Sequence, residues 1–77
     1  MKLTELKRGE SAKITKIDLN KNYTKELIAL GFSYGNIVVF ERNAPLGDPQ
    51  QYHVAGNYIA IRKKDAAGIE VEKVWRK

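Results

Sequence analysis

The chain has no cysteine among its 77 residues. Disulfides, thiolate metal ligands and a thiol nucleophile are therefore excluded, and packing alone must hold the fold. Histidine is nearly absent too. His53 stands alone between Tyr52 and Val54 in a strand-like run, where it reads as a surface or half-buried side chain, because an acid–base role needs partners that the sequence does not place beside it. The longest apolar run, Ile37 to Phe40, is far short of the roughly 20 residues that cross a bilayer as a helix. Residues 1–8 hold no apolar stretch of the kind a secretory leader needs, so a cytoplasmic protein is the expectation. Neither a GxxxxGK loop nor a GxGxxG turn occurs, so nucleotide binding by this chain is not expected. The nine acids show no paired spacing of the kind metal sites use. No cofactor and no catalytic or metal site is assigned.

Charge is present in modest excess, +5 overall. It is spread: seven basic and four acidic groups lie in residues 1–40, and seven and five in residues 41–77. Short clusters occur at Lys7–Arg8, at Arg62 to Lys64 and at Lys73, Arg76 and Lys77, without a basic tail. That distribution describes a solvated surface better than an anion-binding patch.

The length allows one domain, residues 1–77, near the lower limit for a self-sufficient core. Leu3 and Leu6 predict an apolar turn before Gly9, and Ser11 to Ile17 alternates as a half-buried strand. Asn22 or Thr24 is a candidate cap for a short helix carrying Tyr23, Leu27, Ile28 and Leu30. Gly31 then sits where helices turn left-handed, with Phe32 as the apolar residue that folds back over the end. A strand with both faces covered is expected over 36–43, a hairpin over 50–62 turning at Gly56–Asn57, a single helical turn over 63–67, and a last strand from Ile69. Between the second and third strands, Ala44-Pro45-Leu46-Gly47-Asp48-Pro49 concentrates turn chemistry. Two prolines fix φ, a glycine frees it, and Asp48 is expected to accept from a neighbouring amide. Five or six short strands with one inserted helix and one extra helical turn predict a mainly β fold closed into a small barrel.

This order of elements resembles the FeoA family of ferrous-iron transport accessory proteins. The resemblance rests on Leu3, Leu6 and Gly9, on Ile14 and Ile17, on Leu27, Leu30, Gly31 and Phe32, on Gly35, and on Ala44 to Pro49. It continues through Gly56, Ile59 to Arg62, Ala66, Ile69 and Val71. Tyr34 departs from the family's frequent proline ahead of Gly35, and the tail from Lys73 to Lys77 goes beyond the shared pattern. The resemblance implies an SH3-like barrel and a non-enzymatic accessory that binds the cytoplasmic GTP-binding region of a FeoB-type membrane iron transporter, with no DNA partner. The expected docking surface joins the helix to the hexapeptide loop through Tyr23, Phe32, Tyr34, Pro45, Leu46 and Pro49, since exposed aromatic and proline groups give contact area at low entropic cost. Phe32 and Leu46 have a competing role as plugs of the barrel ends. Arg42 and Arg62 read as surface arginines sooner than as arginine fingers on GTP. Two other functions compete: the regulatory SH3-like domain of an iron-dependent repressor, and a basic nucleic-acid-binding barrel using Tyr52, Tyr58 and Trp75.

Overall fold

In a computed structural model, which describes residues 1–18 and 24–74, five antiparallel strands form one curled sheet in the order β4-β3-β2-β1-β5. The strands are β1 (Ser11–Ile17), β2 (Ile37–Asn43), β3 (Gln50–Val54), β4 (Asn57–Ile61) and β5 (Ile69–Lys73). A 3-10 turn, Leu3–Glu5, precedes them; α1 (Thr24–Ala29) lies between β1 and β2, and α2 (Lys63–Ala66) between β4 and β5. The curl comes from two register shifts, one in β1 between Ile14 and Lys16 and one in β2 between Phe40 and Arg42, because an extra residue on one strand sharpens its local twist.

The concave face holds the core. Leu3, Ile14, Phe32, Val38, Tyr52, Val54 and Ile69 are all at most 1% exposed, and Phe32 meets Tyr52 edge to face at 6.2 Å between ring centres. The Tyr52 hydroxyl donates to Gln50 Oε1 at 2.6 Å inside this core, so its polar end is satisfied there. Only one face of β2 is covered: Val38 and Phe40 point inward while Ile37 is 44% exposed. The expectation of a strand buried on both sides fails because the sheet is a single layer.

The barrel is also not closed by hydrogen bonds; among the described residues β4 and β5 end the sheet unpaired to each other. One of these two edges is covered by the chain's start. The Met1 amino group donates to Val71 O at 3.0 Å, Val71 N–H donates to Met1 O at 2.8 Å, and Lys2 bridges Glu70.

Helix α1 ends as its sequence predicts. Phe32 N–H donates to Leu27 O at 2.9 Å and Gly31 N–H to Ile28 O at 3.0 Å, with Gly31 at φ +114°. This is the paired-bond stop that needs a left-handed residue and brings an apolar side chain back over the last turn. Leu27 and Phe32 accordingly share the core. The β3–β4 connection is a two-residue turn at Ala55–Gly56, both at positive φ (51° and 83°), one position earlier than expected from sequence.

Candidate partner-binding surface

The hexapeptide 44–49 closes the β2–β3 hairpin above the Asn43–Gln50 pair. Ala44 N–H donates to Pro49 O at 2.9 Å, Gly47 N–H to Ala44 O at 2.7 Å, and the Asp48–Pro49 bond is cis. Asp48 does not fold onto a neighbouring amide. Its Oδ1 accepts from the backbone N–H of Lys63 at 2.9 Å, which ties the loop to the first turn of α2. That link holds Pro45, Leu46 and Pro49 outward, with Leu46 96% exposed. Leu46 is therefore no plug of a barrel end.

Of the six residues expected to form one surface, the five that the structure describes do not lie together. Phe32 is fully buried and contributes to the core, because the helix stop at Gly31 turns it inward. Tyr23 lies outside the described residues. Tyr34 is 75% exposed, but it lines an apolar hollow with Thr15, Ile17, Ile28 and Ser33. Pro45 and Pro49 instead line a hollow with Arg42, Gln51 and Ala60. The two hollows share no residue: the first is built from β1 and the end of α1, the second from β2, the loop, β3 and β4. The loop joins β3 at Gln50, whereas the end of α1 meets its other end, where Gly31 packs on Ala55 and Asn57 Nδ2 donates to Leu30 O at 3.2 Å.

On the outer face of the sheet, rows of cross-strand neighbours run Val39–His53–Tyr58 and Arg42–Gln51–Ala60. The His53 and Tyr58 rings stack at 4.6 Å between centres, and Arg42 Nε donates to Gln51 Oε1 at 3.2 Å. His53 is half-buried in this stack, as its strand position suggests. Arg8, Glu41 and Tyr58 border the same face. Arg42 stands on a strand and Arg62 is the residue before α2, so neither rides on a long projecting loop. Sequence reasoning missed Ala60 as a neighbour of the hexapeptide loop; hairpin register, read from the β-turn outward, is the signal that could have found it.

Tyr52, one of three aromatic groups considered for nucleic-acid stacking, is fully buried, and burial pushes its phenol well above the ordinary value. Glu10 is paired with Lys73 and accepts from Lys7 N–H at 2.6 Å, and these contacts hold its carboxyl below the usual range. Among the described residues no three His, Asp or Glu side chains gather as metal ligands, and no helix is long and apolar enough to cross a membrane.

A five-stranded curled antiparallel sheet, with a helical turn before its last strand and a short helix inserted after its first, defines an SH3-like domain. The FeoA domain model matches residues 1–73, and the chain belongs to that family. It is 34% identical over 74 residues to the Fe(2+) transport protein A/Fe(2+) transporter FeoB fusion protein of Porphyromonas gingivalis, over 96% of this chain. The chain spans only 9% of that relative's length. The solution structure of Chlorobium tepidum FeoA superposes with a TM-score of 0.90 at 35% identity, covering 97% of this chain and 71% of that one. The zinc complex of Stenotrophomonas maltophilia FeoA, described as an SH3 domain protein, gives 0.80 at 30% identity, covering 94% and 89%.

Proposed function

We propose that the chain is a cytoplasmic accessory of ferrous-iron uptake that docks on the GTP-binding region of a FeoB-type transporter and biases its assembly or activity. The observation that carries this reading is the fusion relative, in which a segment 34% identical to this chain shares one polypeptide with FeoB. A covalent fusion keeps two modules at high effective concentration, which is useful where they work together. The surface supports recognition better than chemistry: it offers a projecting Leu46, and exposed Tyr34 and Tyr58 that each border a shallow hollow. An accessory of this kind acts by binding one state of the transporter more tightly than another, and it shifts the balance only by that difference.

The test is capture of detergent-solubilised FeoB-type transporter by the purified chain, with GTP hydrolysis timed with and without it. Saturable binding with a change in hydrolysis or in transporter assembly is expected. Absence of binding at micromolar concentrations, or tight salt-sensitive retention of single-stranded nucleic acid instead, overturns the reading.

A further inference from the structure

The two edges of the sheet are treated differently. Met1 and Lys2 cover the outer side of β5, but among the described residues nothing pairs with the outer side of β4. Natural edge strands are commonly guarded by lysine, proline, a bulge or a covering segment. Strand β4, Asn57-Tyr58-Ile59-Ala60-Ile61, has no charge and no proline, and its register with β3 runs unbroken from Val54–Asn57 to Gln50–Ile61. The two-residue turn at Ala55–Gly56 makes Val54–Asn57 the first hydrogen-bonded pair. By alternation Ile59 and Ile61 also bond inward to β3, and Tyr58 and Ala60 turn both N–H and C=O outward. Tyr58 is 67% exposed and Ala60 is exposed beside it.

Charge selects what such an edge accepts. Residues 49–64 contain no acid and end in Arg62, Lys63 and Lys64. Asp48 and Asp65 flank this stretch, and Asp48 is engaged with the Lys63 amide. A second copy would bring the same +5 to the edge, whereas an acidic segment would meet opposite charge.

We propose that β4 receives, by antiparallel strand addition, an extended segment of the transporter whose amino-terminal end is acidic. The inference rests on the transporter reading above. Antiparallel addition sets the start of the incoming segment beside Ile61 and Arg62, and it satisfies the outward groups of Tyr58 and Ala60. Its outer side chains then lie near Ala60, Pro45 and Pro49, which border one hollow.

The test compares three proteins, wild type, Ala60→Pro and Arg62→Glu/Lys64→Glu, against solubilised full-length FeoB-type transporter, with hydrogen exchange followed at each amide. Ala60→Pro removes an outward N–H that the sheet does not use, a position where edge strands accept proline. Slowed exchange at Tyr58 and Ala60 on binding is expected, with affinity lowered about tenfold or more in Ala60→Pro and lowered further by salt in wild type than in the double variant. Wild-type binding without protection at Tyr58 and Ala60, or with equal affinity in a folded Ala60→Pro, overturns the edge assignment and leaves the transporter reading standing. If Ala60→Pro does not fold, the exchange pattern and the double variant decide in its place. Failure of wild type to bind overturns both, and self-association through β4 overturns the choice of occupant.

Discussion

Asp48 and Lys63, fifteen residues apart, are joined by a 2.9 Å hydrogen bond from the Lys63 amide to the Asp48 carboxylate. Arg62, the residue that precedes α2, supplies no side-chain cap of its own. The first turn of α2 therefore takes its acceptor from the hexapeptide loop, and the loop takes its position from α2.

Asp48→Ala should cost about 0.5–2 kcal/mol, the range for loss of a helix cap, and should speed hydrogen exchange at the Lys63 amide. Asp48→Asn keeps an acceptor oxygen and is expected to retain most of the stability. Chemical unfolding of the three proteins checks the order. Equal midpoints for Asp48→Ala and wild type would show that the bond contributes nothing net.

A second prediction concerns the helix stop. A Cβ on Gly31 would stand 2.6 Å from Ala55 Cβ, and its φ is +114°. Gly31→Ala therefore combines a steric collision with backbone strain, and should cost more than the roughly 1–2 kcal/mol of a left-handed non-glycine residue alone. Gly9, at φ +83° with nothing within 4 Å, is the comparison: Gly9→Ala should show the strain without the collision. Thermal unfolding of the pair, and of Gly31→Ala combined with Ala55→Gly, separates the two contributions. The double variant should recover part of the loss.

What was legible in the sequence was local. The stop at Gly31–Phe32, the alternation of β1, and the closed loop 44–49 each follow from residues within one turn of each other. The run Ile37 to Phe40 predicts strand β2 but not its single covered face, since such a run does not reveal how many layers pack on it. The candidate surface was harder. Tyr34 and Leu46 flank β2 in sequence, yet they attach near opposite ends of the β2–β3 ladder, which only strand pairing reveals. The partner of Asp48 was missed for the same reason: a turn aspartate normally bonds close by, and here a distant helix competes for it.

Phe32 and Leu46 provide a third prediction, because each had two competing roles and they separate cleanly. Phe32→Ala empties a fully buried site and should cost about 3–5 kcal/mol, a large share of a stability on the order of 5–15 kcal/mol. Leu46→Asp alters a side chain that is 96% exposed and should leave unfolding within about 0.5 kcal/mol of wild type. Under the proposed function it should also weaken capture of the transporter. Loss of cooperative unfolding in Leu46→Asp would instead make Leu46 part of the packing.

The last prediction is a pH dependence centred on Tyr52. Burial raises its phenol above the ordinary value of 10.0, so the folded chain keeps a proton that the unfolded chain releases. Stability must then fall as pH rises through about 10, by up to about 1.4 kcal/mol per pH unit for one proton, until the folded-state value is reached. Tyr52→Phe, which lacks the phenol hydroxyl and nothing else, is the necessary reference. At neutral pH that variant should be less stable by about 1–3 kcal/mol, because Gln50 Oε1 loses its donor in a site where Gln50 is only 4% exposed. Between pH 9 and 11 its stability should decline less steeply than wild type, so that the two denaturation curves converge as the solution becomes more alkaline. Parallel decline of the two proteins would mean that Tyr52 ionises as readily folded as unfolded, and that the Tyr52–Gln50 contact leaves water access to the phenol.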